Sequence, residues 1–450
     1  MGGRGSGSNQ LDRAAAFIAK RFESFGLHPK MQPFAITSRA RLGGGNRLQF
    51  TVNGRTETRK SSREFVPLPF SSSGKVSGSV VFAGYGITAP EYGYDDYAGI
   101  DVHGKIALLL RQEPQEFDEH SAFEGRSYTA HSQLANKAGN AKLHGARAVI
   151  LVTPMFTRGS GDDRLDAFVR SAGPGDVGIP VIQMRAADTQ SWFEAAGRNL
   201  DDIGREIDRE LRPQSFAFPT GAVSVQIDVD IERRAREVRN VYAYLPGETD
   251  EYIVIGAHYD HLGSGEQFSL GTPGTMHPGA DDNASGTSGV IELARYFSRQ
   301  PRHKRGILFL TFAGEEIGLL GSSYYVNHPA LPLQKAVAML NLDMIGRARE
   351  GKVYVISAGL RNVVEPLLTH YPSLHADLSG SAGYGASDHT SFTGKGIPIL
   401  FFFTGLHGDY HRPSDTWDKI DAPSTATLLS LIADTATSLL SGDHGRDISQ

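Results

Sequence analysis

The sequence predicts an α/β fold with a mixed, mostly parallel central sheet flanked by helices, and three observations carry that expectation. From residue 218 onward, apolar strand-like runs alternate with helical patterns, as in chains whose parallel strands are covered on both faces. Upstream, a serine-rich shift at Ser71-Ser72-Ser73-Gly74 opens a block with its own strand and helix candidates. The chain has 450 residues, too many for one ordinary core, so two domains or one large domain with an insert are expected.

Taken in order, residues 11–25 read as an amphipathic helix. Ala14, Phe17, Ile18, Phe22 and Phe25 recur at helical spacing, and Gly26 suits the C-terminal cap. Residues 31–65 read as short strands and turns, with Asn53-Gly54 as a hairpin signal. In the block from 71 to about 216, strands are expected at 78–83, 105–110, 148–152 and 180–184, with a helix at 131–145. Gly84-Tyr85-Gly86 and Tyr94-Asp95-Asp96-Tyr97 read as turns. Nothing in this block sets carboxylates and histidines at metal-ligand spacing, so it is read as an insert without chemistry of its own. The expected domains are 1–70, 71–217 and 218–450, the first and last forming one domain. In the last, strands are expected at 222–229, 239–244, 252–257, 306–312, 336–342, 353–357 and 397–403. Helices are expected at 286–299, 317–327, 361–371 and 422–440.

Composition removes several classes of function. There are no cysteines, which excludes thiol nucleophiles, thiolate metal sites and disulfides together. Net charge is −5, and the longest basic cluster, Arg302-His303-Lys304-Arg305, reads as a solvated turn, so nucleic acid is not an expected partner. No apolar run approaches the ~20 residues of a membrane span. The 52 glycines show no period, which excludes a collagen-like chain.

In open α/β sheets ligands bind beyond the carboxyl ends of the strands, and that is where the charged residues collect. The run Tyr252-Ile253-Val254-Ile255-Gly256-Ala257 ends on His258, with Asp260 two residues on, the spacing of residues on one face of an extended segment. Asp260 is therefore placed to orient the His258 ring, although a histidine after a strand is also a common structural residue. Asp281 and Asp282 lie in Gly279-Ala280-Asp281-Asp282-Asn283-Ala284-Ser285-Gly286, just before a helix, where one of them could serve as an N-cap. Glu315 and Glu316 end the very apolar run at 306–312, a costly position for charge unless paired or metal-bound. Asp343 closes the run Asn341-Leu342, and Tyr410-His411 follows the run at 397–403. Two histidines and four carboxylates thus gather at one sheet edge. Imidazole and carboxylate without thiolate suit zinc, with manganese or cobalt as alternatives.

These five elements, in this order, resemble the co-catalytic zinc aminopeptidase family, which has glutamate carboxypeptidases, glutaminyl cyclases and the transferrin-receptor ectodomain as relatives. The likeness covers the N-terminal helix region and residues 218 to the end. The inserted block resembles a protease-associated domain through Gly84-Tyr85-Gly86-Ile87 and His103-Gly104-Lys105-Ile106-Ala107-Leu108. The resemblance implies two zinc ions. His258 and Asp343 would bind one, Glu316 and His411 the other, and Asp282 would bridge them with Asp281 beside it. It further implies hydrolysis by a water held between the zinc ions, with Glu315 as general base, Asp260 orienting His258 and Tyr410 steadying the oxyanion. A cis peptide at Asp282–Asn283 is implied too. The substrates would be peptides with a free N-terminus.

Gly3-Arg4-Gly5-Ser6-Gly7-Ser8 resembles a segment lying well inside exported members, which implies a secreted or periplasmic protein and an upstream signal. A cytoplasmic protein is the alternative. Other readings stay open on the same scaffold: a carboxypeptidase with Arg347, Arg349 or Arg412 as its cationic pocket, a glutaminyl cyclase, or a silent binding module. A serine hydrolase finds no Gly-x-Ser-x-Gly element. His303, His328, His370 and His375 are expected at the surface, and His261, His277 and His407 at the cleft rim. Ser387-Asp388-His389 is too compact to form a triad by itself, and Asp388 and His389 are expected beside the site or in a substrate loop. Side-chain preference rests on loops at 264–278 and 380–392 and is not legible.

Overall fold

The computed structural model describes residues 3–118, 120–123, 125, 129–153, 163, 165–168, 176–265, 269–272, 274–378 and 387–442. The chain divides into two compact units, Met1–Ser38 with Ala235–Gln450, and Arg39–Arg234. The expected boundaries at 70/71 and 217/218 are therefore displaced. Residues 39–70 and 218–234 fall in the second unit, and of their strands Arg47–Val52, Arg55–Arg59, Phe65–Pro67 and Val223–Val229 hydrogen-bond into its sheet. Arg47–Val52 and Gly74–Phe82 flank Val223–Val229 in antiparallel register, with Val225 opposite both Phe50 and Gly78. The strand expected at 222–229 forms, but as a member of this second sheet.

The second unit carries a mixed sheet whose central parallel strands, Ile106–Leu110, Ala148–Val152 and Val181–Met184, are buried on both faces. Asn53 and Gly54 form the expected hairpin turn, both with positive φ (47° and 81°), and bring Val52 opposite Arg55. The acidic stretch at 94–97 is more than a turn. Asp96 is fully buried and accepts from the Ile87 N–H (3.1 Å) and the Tyr94 hydroxyl (2.9 Å). Gly84, at φ 46°, leaves it room, since a Cβ there would lie 2.0 Å from Asp96 Oδ1.

The first unit is built on an eight-stranded mixed sheet. Its parallel centre runs Gly306–Phe312, Tyr252–His258, Ala336–Leu342 and Ile399–Phe403. Ile231–Leu245 joins one side and Lys352–Ala358 the other, both antiparallel to their neighbours. A short parallel strand, His375–Asp377, was not legible in the sequence. Helices Asn9–Ser24, Gly286–Phe297 and Ala422–Ser441 contribute Phe22, Val290 and Leu431 to the core on one face. Ser8 caps the first helix by accepting from Leu11 N–H. The helix expected at 361–371 breaks up into Arg361–Val364 and a tighter 3₁₀ turn, Pro366–His370. Pro366 lacks the N–H that would continue the α-helical ladder. No helix among the described residues is long and apolar enough to cross a membrane.

Candidate metal centre

The three central strands Tyr252–His258, Gly306–Phe312 and Ala336–Leu342 are parallel, so their carboxyl ends meet at one edge. His258 lies in register with Phe312 there, three residues before Glu315. The turn Ala280–Ser285 enters between these ends and the helix Gly286–Phe297. Asn283 fixes it. Its Oδ1 accepts from Gly286 N–H (2.9 Å) and Met344 N–H (3.2 Å), and its Nδ2 donates to Leu342 O (2.9 Å). The Asp282–Asn283 peptide is cis. Asp415 Oδ2 accepts from the N–H groups of Asp281 (2.9 Å) and Asp282 (3.1 Å), while its Oδ1 accepts from Arg347 Nη2 (2.6 Å).

All of the sequence-predicted residues come together. His258 Nε2 stands 3.3 Å from Asp343 Oδ1, 3.5 Å from Asp282 Oδ1 and 3.8 Å from Glu315 Oε2. His411 Nε2 stands 3.3 Å from Asp282 Oδ2 and 3.3 Å from Glu316 Oε2. The two oxygens of Asp282 thus face different histidines. Asp343 Oδ2 accepts from Ser387 Oγ (2.8 Å), and its other oxygen, buried and without a hydrogen bond, is the one that faces His258. Among the described residues, three overlapping groups can each hold a cation: His258–Asp282–Asp343, His258–Glu315–Glu316 and His261–Asp282–Glu316. Tyr410 stacks on His411 at 3.8 Å between ring centroids.

Burial governs the electrostatics. It pushes Asp282 up, assisted by Glu316, and pushes Glu315 well above the usual carboxylate range. Burial would raise Glu316 as well, but the adjacent His261 ring holds it well below. Burial, with the surrounding Asp282 and Glu316 carboxylates, also raises the Tyr410 phenol, which stays a neutral donor. Four acids packed at a dry sheet edge are costly without cations to balance them.

Several assignments change on contact with the structure. His258 Nδ1 lies nearer the main-chain oxygen of Asp260 (3.2 Å) than its carboxylate (3.7 Å). That carboxylate also accepts from Glu315 N–H (3.1 Å) and Ser6 Oγ (2.5 Å) and stays within 3.7 Å of the ring. His261 and His277 are buried, not at a rim. His277 bridges Thr275 O and Ser269 Oγ inside its own loop, and His407 Nε2 reaches Asp281 Oδ2 (3.1 Å). His303 is half-buried, while His328, His370 and His375 are exposed as expected. Arg347 is committed to Asp409 and Asp415 and is no free cationic pocket. Residues 266–268, 273 and 380–386 of the two specificity loops lie outside the described residues.

Arg4 had no role assigned from sequence. Its guanidinium donates to the carbonyls of Tyr259 (2.9 Å), Pro278 (2.5 Å) and Gly279 (2.8 Å), tying the His258 and Asp282 loops together.

His389 gives a test of burial beside the site. Its ring stacks on Phe401 (4.5 Å), and burial pushes it down to about 4, while burial pushes its neighbour Asp388 up to about 7. A depressed histidine stabilises the fold above its unfolded pKa, and that contribution is lost as pH falls towards 4. Asp388 acts with the opposite sign, lost as pH rises through about 7. Comparing the parent with His389→Phe cancels the Asp388 contribution. The parent is expected to lose up to about 3 kcal/mol more stability than the variant as pH falls from ~6.5 to ~4. Urea unfolding at the two pH values measures this, and parallel losses would refute it.

Residues 240–436 match Peptidase family M28, and residues 76–192 match the PA domain. Aminopeptidase YwaD of Bacillus subtilis is 26% identical over 435 residues, covering 93% of this chain and 77% of that protein. A probable leucine aminopeptidase of Arthroderma otae is 31% identical over 194 residues, 40% of this chain, which spans about half (52%) of that relative. The solved structure of an aminopeptidase from Aneurinibacillus sp. strain AM-1 aligns over 96% of this chain and 89% of its own, with TM-score 0.55. At 24% identity it shows a shared fold. The region that gathers the strand-end elements at one edge, residues 240–436, is thus the part of the chain that matches peptidase family M28, and residues 76–192 match a PA domain.

Proposed function

We propose that the chain is an aminopeptidase working with two zinc ions, held by His258, Asp282 and Asp343 on one side and by Asp282, Glu316 and His411 on the other. The spacing of the donor atoms carries this reading. A tetrahedral zinc with bonds of ~2.0–2.2 Å sets neighbouring ligand atoms ~3.3–3.5 Å apart. The pairs His258–Asp343, His258–Asp282, His411–Asp282 and His411–Glu316 stand at 3.3, 3.5, 3.3 and 3.3 Å. Manganese and cobalt accept the same donors.

Bound zinc supplies a Lewis acid for the scissile carbonyl and acidity for the attacking water. Glu315, with its proton affinity raised by burial, takes the water proton and returns it to the leaving amine. Tyr410, kept neutral, donates to the developing oxyanion. The restriction to free amino termini is supported by relatives described as aminopeptidases. The same reading places the enzyme outside the cytoplasm, on the likeness of residues 3–8 to a segment of exported members.

A panel of aminoacyl anilides and N-acetylated peptides, each with a chelator control, tests the proposal. Hydrolysis confined to free amino termini and abolished by chelation is expected. Equal cleavage of acetylated substrates would exclude the aminopeptidase, and activity resistant to chelation would exclude the metal.

A further inference from the structure

His261 lies against the metal centre but stands outside the five proposed ligands. Its ring is buried, its Nδ1 is 2.6 Å from Glu316 Oε1 and 3.7 Å from Asp282 Oδ2, and its ring centroid is 5.9 Å from that of His411. The position is built. The His261 N–H donates to Arg4 O (2.9 Å), and Gly279, at φ 56°, makes room for the ring, since a Cβ there would lie 2.4 Å from it.

The distance discriminates between two roles. Two atoms bound to one tetrahedral cation at ~2.0–2.2 Å cannot approach within 2.6 Å without severe angular distortion. That distance lies at the short end of a charge-assisted N–H···O hydrogen bond, ~2.7–2.9 Å, and far below the ~3.3–3.5 Å between two ligands of one cation. We propose that His261 is a positioning residue that fastens Glu316 for the metal: its Nδ1–H is donated to Oε1, which leaves Oε2 as the oxygen directed toward His411 and the cation. A histidine hydrogen-bonded to a ligating carboxylate sets that ligand's orientation and limits the oxygens it can offer. The proposal rests on the two-metal reading. It predicts that His261 governs the affinity of the Glu316–His411 site and leaves the His258–Asp343 site unaffected.

Two substitutions in the full chain separate donor from volume. His261→Leu keeps buried volume and removes the donor. His261→Asn places an amide N–H near the Nδ1 position. Zinc affinity is measured on metal-stripped protein by competition with a chromophoric chelator, and cobalt substitution reports the ligand set through its visible spectrum. In His261→Leu one of two zinc equivalents is expected to weaken about 10- to 100-fold, the other staying within about twofold. His261→Asn should recover most of that loss and keep the parent cobalt spectrum. Unchanged affinity in His261→Leu overturns the proposal. So does an Asn variant as weak as Leu with an altered cobalt spectrum, which would make His261 a ligand. A parent that binds fewer than two equivalents overturns the two-metal reading itself, whatever the variants do.

Discussion

Glu315→Ala is expected to lower kcat by about 10²–10⁴ while zinc content and folding are retained. The reasoning is geometric. Glu315 Oε2 lies 3.8 Å from His258 Nε2, beyond the 3.3–3.5 Å spacing of the proposed ligand pairs, and the proposed two-zinc reading leaves the side chain facing the centre outside both ligand sets. Its backbone is pinned by the N–H bond to Asp260 Oδ1 at 3.1 Å, which holds the carboxylate over the site. Burial disfavours its ionised form, which makes it a stronger base than an exposed glutamate. Turnover of an aminoacyl anilide, read beside zinc content by atomic absorption, decides the matter. Full activity, or a loss that tracks lost zinc, would remove Glu315 from the role of base.

Asp282→Ala is expected to abolish activity by another route, loss of both metals. Oδ1 faces His258 and Oδ2 faces His411, so one truncation takes a donor from each proposed site. The backbone around it should persist, because Asp415 and Asn283 hold the turn through main-chain bonds that do not involve the Asp282 side chain. The stability readout is therefore informative. A cation at 100 times its Kd stabilises a folded protein by about 2.7 kcal/mol per site. Added zinc should shift the parent's unfolding midpoint and leave the variant's where it was. An equal shift in both would show that Asp282 does not link the two sites.

The pH behaviour at His389 and the fastening of Glu316 by His261 test the same principle from outside the ligand set. At His389 burial lowers the ring's proton affinity, and at Glu316 the neighbouring His261 within hydrogen-bond reach overrides burial.

Much of the scaffold was legible because apolar runs encode burial locally. The strands Gly306–Phe312 and Ala336–Leu342 and the helix Ala422–Ser441 fall within a residue of where periodicity put them. The residues of the centre were legible for a related reason: charge at the end of an apolar strand is costly, so each such residue marks itself. Pairing over distance was not encoded that way. Val223–Val229 reads as a strand, but only its register with Phe50 and Gly78 assigns it to the second sheet. Side-chain partners were equally hidden. Nothing near Arg347 in sequence announces Asp409 and Asp415, and nothing near His261 announces Glu316. The sequence by itself determined the fold class and the set of acids and histidines at one sheet edge, since periodicity and the cost of buried charge act on neighbouring residues. Tertiary structure alone decided which oxygen faces which histidine and that His261 and Arg4 hold the centre, because those contacts join residues outside any local sequence pattern, up to 275 positions apart.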